Sequence, residues 1–267
     1  MANITVTTLN DELDANPADN GLSLREAIQI ANQSAGADTI SFADGLTGTA
    51  RLTLGELQVT DQLSIDGGGK VTISGDSQGN DALTDGVTDV SASTDGADLL
   101  ADNSHLFNVT ADAAAFGLSG LTLTGGRTTQ NIDSGGALTA ADGVTVTISD
   151  SQVSGNSTTG AGADGGGLNV EGDLIISDSI ISGNSTLGSF SDGGGIFAGA
   201  ITITGSSVVG NSTDGSYANG GGIASAGAVA ATGNFIGLQE THGVGPPGGG
   251  GFAVGVNAVT TSRVYAN

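Results

Sequence analysis

Val153-Ser-Gly-Asn-Ser-Thr158 returns as Ile181-Ser-Gly-Asn-Ser-Thr186 and again as Val209-Gly-Asn-Ser-Thr213. Each copy is followed by a triple glycine and an apolar residue, in Gly165-Gly-Gly-Leu168, Gly193-Gly-Gly-Ile196 and Gly220-Gly-Gly-Ile223. Asn156, Asn184 and Asn211 are spaced by 28 and then 27 residues. A fixed period in this range marks a solenoid, in which each repeat buries its apolar face only against its neighbours.

The repeating unit is β. Segments such as Leu168-Asn-Val, Leu174-Ile-Ile-Ser and Ser179-Ile-Ile-Ser trade apolar with small polar residues, as half-buried strands do. Three strands with tight turns fit one period, so the spacing predicts an all-β, right-handed parallel β-helix of about 28 residues per coil, its coils stacked roughly 4.8 Å apart. The 48 glycines serve the corners, where backbone must adopt positive φ. The narrow core suits a chain with no tryptophan, one methionine and many Val, Ile, Leu and Ala. With no cysteine, no disulfide staples it.

Twenty-eight acids face five bases, a formal net charge of −23. Nucleic acid and anionic membranes are excluded as partners, because phosphate binding needs Lys and Arg. No run of 18 apolar residues suggests membrane insertion, and Met1-Ala-Asn-Ile does not open a secretory signal.

Residues 1–42 read as a cap on the solenoid, which occupies 43–267. Ile4-Thr-Val-Thr-Thr-Leu9 reads as a strand, and Leu22 to Asn32 as a helix opened by a capping box of Ser23 and Glu26. Leu24, Ala27, Ile28 and Ala31 share one helical face, as a lid over an apolar lumen requires. Leu22-Ser-Leu-Arg25-Glu26-Ala-Ile28, with Gly36-Ala-Asp-Thr-Ile-Ser-Phe42, resembles the CSLREA domain that opens many bacterial surface and secreted right-handed β-helix proteins. The cysteine that names that motif is Leu22 here. The later Gly-Asn-Ser and triple-glycine phrases are similar to polymorphic outer-membrane and autotransporter-like repeats. The resemblance implies an extracellular or cell-surface location and says little of activity.

Between Thr72 and His105 the period breaks. Residues 76–104 carry seven aspartates and no base, and read as a loop insertion, either solvated or ordered by a cation.

Chemistry-bearing residues are few. Lyase chemistry on polyuronates calls for a base and commonly a basic groove, yet Arg25 belongs to the cap and Arg51, Lys70, Arg127 and Arg263 are scattered. His105 and His242 lie in no motif, and no carboxylate pair stands out. The repeat does stack like residues. Asn156, Asn184 and Asn211 form a prospective amide ladder, which explains them better than three glycosylation sequons in one register. Asp150 with Asp178, and Asp164 with Asp192, form two acidic pairs that either turn into water or share a Ca²⁺. Phe190 and Tyr217 fall at one offset, with Gly162 one coil earlier, and form either a sugar-binding platform or a packed satellite cluster.

Arg263-Val264-Tyr265-Ala-Asn267 occupies the register of Gln152-Val-Ser-Gly-Asn156, so a second cap is missing and Val264 and Tyr265 would form an open assembly edge. The expectation is therefore a non-enzymatic extracellular or bacterial cell-surface β-helix, acting as a stalk, adhesin or self-assembling filament. It needs no cofactor unless Ca²⁺ joins the acidic pairs, and its partners are surface glycan or itself, head to tail. The alternatives are a polysaccharide-active enzyme of pectate-lyase-like type and a carbohydrate-binding module.

Overall fold

A computed structural model describes residues 1–14, 21–79 and 103–236, together with short strand segments at 83–84, 87–88, 240–241, 252–254 and 263–264. The chain forms a right-handed parallel β-solenoid of about six turns with a repeat of roughly 28 residues.

One coil shows how the sequence makes the fold. Strands Leu138–Ala140, Thr145–Ser149, Gln152–Ser154 and Ser157–Thr158 follow one another, so a coil holds four strand segments where three were expected. The extra one is the Ser-Thr pair after each ladder asparagine, too short to show as a periodic run. With its counterparts it forms a separate five-stranded sheet. Pairing is parallel and in register from coil to coil. Leu138 meets Leu168, then Ile196, then Ile223, and Val153 meets Ile181, then Val208. All of these side chains are buried, so the lumen is filled by unbroken aliphatic columns.

The triple glycines fall where backbones meet. A Cβ on Gly166 would lie 2.3 Å from the Ser185 carbonyl oxygen, and one on Gly194 would lie 2.1 Å from that of Ser212. Any side chain there would force the coils apart.

The N-terminal end is closed by β1 (Asn3–Val6), α1 (Leu24–Gln33) and β2 (Asp38–Phe42). β1 pairs in parallel with β2, and β2 with the first long strand of the solenoid. At the helix start the Ser23 hydroxyl accepts the Glu26 N–H at 3.1 Å, and the Glu26 carboxylate accepts the Ser23 N–H at 2.9 Å. Leu24, Ala27, Ile28 and Ala31 are buried in the same apolar cluster as Ile4, Val6 and Ile40. Arg25 stays on the outer side and fastens the cap. Its guanidinium donates to both carboxylate oxygens of Asp11, at 2.7 and 3.0 Å, and to the carbonyl of Glu56 at 2.8 Å. Asp11 in turn accepts the N–H groups of Thr53 and Leu54.

The insertion leaves the solenoid at Asp76 and returns at Asn103, which form an antiparallel bridge. Apart from a small antiparallel pairing of Leu83–Thr84 with Val87–Thr88, its interior lies outside the described residues, as do His242 and the Pro246-Pro247 segment.

Candidate functional site

Four corners of the coil run through left-handed backbone, one of them the triple-glycine column of Gly135, Gly165, Gly193 and Gly220, and the occupants of the other three differ. The first column reads Gly120, Asp150, Asp178, Gly205 and Gly233, and the second Gly125, Gly155, Gly183 and Gly210, all at positive φ. These are the residue types that tolerate this conformation. The third column reads Ile132, Gly162, Phe190 and Tyr217, with φ of 58, 66, 62 and 62°. Its register is fixed by the backbone: Ile132 N–H donates to Ala161, Gly162 to Ser189 and Phe190 to Ser216, at 3.0, 2.9 and 2.8 Å. A β-branched or aromatic residue in left-handed backbone is an outlier that costs roughly 1–2 kcal/mol.

Nothing in the core repays that cost. Ile132, Phe190 and Tyr217 are 81, 63 and 53 % exposed. The Phe190 and Tyr217 rings stack with centroids 5.1 Å apart and planes 5° from parallel. Both side chains are largely open to solvent and contact one another face to face. The Ile132 rung escaped the sequence reading because its coil lacks the Gly-Asn-Ser phrase, offering Gly125-Gly-Arg-Thr-Thr-Gln in its place. The usable signal was Asp133-Ser-Gly-Gly136, a weakened copy of the acidic residue and glycine run that follow the other rungs.

The Asp164 and Asp192 carboxylates are half-buried and hydrogen-bonded from coil to coil. Each serves the next coil: Asp164 Oδ1 accepts the Asp192 N–H at 2.6 Å, and Asp192 Oδ1 accepts the Asn219 N–H at 2.7 Å. The carboxylates act as side-chain links between coils, and the Asn219 side chain donates a second bond to Asp192 Oδ1 at 3.1 Å. Burial, with a further contribution from the Asp192 charge, pushes the Asp164 pKa up to about 6, against the opposing pull of its bond from the Asp192 N–H. Asp150 and Asp178 are both exposed, at the left-handed corner described above. Among the described residues no three His, Cys, Asp or Glu side chains converge as a metal site would require.

The asparagines are ladder groups. Asn184 Oδ1 accepts both the backbone and the side-chain N–H of Asn156, and Asn211 Oδ1 does the same for Asn184, all at 2.9–3.1 Å. With at most 1 % exposure, Asn156, Asn184 and Asn211 offer no amide to a glycan-attaching enzyme. A second ladder runs beside them. Ser151, Ser179, Ser206 and Asn234 accept in turn the N–H groups of Leu121, Ser151, Ser179 and Ser206.

His105, which had no motif, is buried and pairs through Nδ1 with Glu56 at 2.9 Å. The hydrogen bond from His105, against the upward push of burial, holds the Glu56 carboxyl below its usual range. The partners are 49 residues apart with the insertion between them, so no local pattern joins them. A groove of about 520 Å³ lies near the cap, lined by a mixture of apolar residues such as Leu63 and Phe116 and hydroxyl residues such as Thr39, Ser64 and Thr147. The remaining predicted edge is only partly visible. Arg263–Val264 pairs with Phe235–Ile236, while the Val264 side chain and all of Tyr265 lie outside the described residues.

Compared with known proteins, the chain matches no family model, no curated protein and no solved structure.

Proposed function

We propose that this chain is a non-enzymatic, surface-displayed β-helix of adhesin type: a stiff stalk whose recognition surface is the exposed left-handed corner bearing Phe190 and Tyr217. The β-solenoid fold is compatible with such a role. The observation that carries the reading is the contrast between corners. Three columns hold only glycine and aspartate, whereas the remaining one keeps Ile132, Phe190 and Tyr217 in strained backbone and turns them to solvent. Strain held at exposed aromatic side chains points to contact with a partner, because it does not serve packing.

Rigidity supports display. Apolar columns, an asparagine ladder and a serine ladder link each coil to the next, so the platform sits on a frame that bends little. The likeness of the cap to the CSLREA opening supports placement outside a bacterial cell. The five bases are unsuited to gripping polyuronates, which supports binding over lyase chemistry.

A glycan array tests this directly. Wild-type protein should retain neutral glycans, and Phe190→Ala/Tyr217→Ala should lose them. Binding that survives the double substitution removes the site, and release of unsaturated uronates from pectic polymers would place the chain among the enzymes.

A further inference from the structure

The third corner is a ladder with one rung missing. Successive coils of a parallel β-helix are about 4.8 Å apart, and the Phe190–Tyr217 ring separation of 5.1 Å follows that step. Ile132 and Phe190 are two rungs apart, with Gly162 between them. Their backbones therefore lie about 10 Å apart along the axis, twice the coil spacing. A Cβ placed on Gly162 would meet only one atom within 4 Å, the Ile132 Cγ2 at 3.5 Å. The space above Gly162 is open, floored by backbone and walled by two exposed apolar side chains.

We propose that this gap is a binding slot for a neutral hexopyranose ring, sandwiched between Ile132 and the Phe190 face, with Tyr217 backing the aromatic wall. The inference rests on the recognition reading of this corner and adds to it the position of the ligand and its chemistry.

Three observations select that chemistry. The first is thickness. A flat aromatic ring makes contact at about 3.5 Å on each face and would fill about 7 Å, whereas the gap is the backbone step of about 10 Å shortened by Ile132 Cγ2, which reaches to 3.5 Å from the Gly162 Cβ position. A chair pyranose, with axial C–H bonds standing off both faces, is thicker and presents apolar hydrogens to both walls. The second is the rim. Exposed Asp133 directly follows Ile132, and half-buried Ser189 directly precedes Phe190, which sets hydrogen-bonding groups at the slot edge where equatorial hydroxyls would emerge. The third is charge. At −23 the protein repels uronate, sulfated and phosphorylated sugars, so the ligand is uncharged.

The test uses the full chain and calorimetric titration with cellopentaose, maltopentaose and mannopentaose, with pentagalacturonate as the anionic comparison. At least one neutral pentasaccharide should bind, with pentagalacturonate at least tenfold weaker. Gly162→Phe fills the slot with a residue that the same corner already accepts at Phe190. It should lower affinity at least tenfold with the melting temperature unchanged, and Gly162→Leu should do the same if the phenylalanine variant fails to fold. Wild-type affinity in both filled variants, with loss in Phe190→Ala/Tyr217→Ala, would overturn the slot and leave the platform standing. Tighter binding by Gly162→Phe would likewise overturn the slot in favour of a longer flat stack. Retention in every variant would sink the slot and the recognition corner together. Failure of all three neutral pentasaccharides at millimolar concentration, or a preference for an aromatic dipeptide, would overturn the ligand class.

Discussion

Replacing Asn184 by alanine should destabilise the protein by about 5–7 kcal/mol. The Asn184 side chain makes four buried hydrogen bonds: Oδ1 accepts the Asn156 backbone N–H at 3.1 Å and its Nδ2 at 2.9 Å, while Nδ2 donates to the Val153 carbonyl at 3.0 Å and to Asn211 Oδ1 at 2.9 Å. Each such bond is worth about 1 kcal/mol net. The alanine variant also leaves the Asn156 N–H without its acceptor in a site closed to water, and an orphaned buried donor costs about 1–3 kcal/mol. Because the Asn156 amide keeps its bonds to the carbonyls of Leu123 and Ser154, the lower part of the ladder survives and the damage is confined to one junction. Guanidinium titration followed by far-ultraviolet circular dichroism measures the loss. In a solenoid the transition should broaden as well as shift, since a weakened junction uncouples the coils on either side. A loss below 1 kcal/mol with unchanged steepness would refute the claim that the ladder ties the coils together.

Asp164 has a pKa raised from its ordinary value to about 6, so the folded state holds a proton that the unfolded state has released. Stability should therefore fall as pH rises from about 4 to 6 and level off above. The span is at most about 3 kcal/mol and nearer 1 after allowing for the partial solvent exposure of the group. Asp164→Asn, which copies Asn219, should flatten that limb of a thermal melt series recorded against pH. Glu56, held low by His105, acts in the opposite sense: its contribution is present above its unfolded pKa and is lost as pH falls through the lowered value, a loss that Glu56→Gln should remove from the same series. If Ca²⁺ bridges Asp150 and Asp178, millimolar calcium should raise the melting temperature and a chelator should lower it at low salt, with magnesium weaker. Among the described residues β1 is paired on one side only, with β2, so head-to-tail association should appear in light scattering as salt or calcium screens the charge. A strict monomer at high concentration in calcium would count against assembly.

The fold was legible because stacking coils forces identical environments to recur, and Asn156, Asn184 and Asn211 report that recurrence without alignment to any other chain. The fourth strand was not legible, since two residues carry no periodicity. The corner was half legible. Phe190 and Tyr217 share an offset from their asparagines, but nothing in residue identity announces that the offset is left-handed or that the rings face solvent. Glycine at 162 reads as an ordinary turn residue until Ile132 is seen one rung below it. The bonding of the Asp164 and Asp192 pair was not legible for a different reason. Stacked carboxylates look repulsive in sequence, whereas in the fold each Oδ1 of Asp164 and Asp192 meets a backbone donor that the sequence does not display.

On the proposed function, Phe190 and Tyr217 are displayed for contact and contribute little to the fold. The most direct test is the unfolding free energy of Phe190→Gly/Tyr217→Gly. Relief of two left-handed strains returns about 2–4 kcal/mol. Lost stacking removes about 0.5–1.5 kcal/mol, and the freer unfolded chain removes about 1–2 kcal/mol more. The double variant should therefore be as stable as wild type to within about 1 kcal/mol, or slightly more stable. Aromatic side chains packed into a core cost about 3–5 kcal/mol each when truncated, so a loss of 3 kcal/mol or more would show that the pair belongs to the fold and contradict the reading of this corner as a recognition surface.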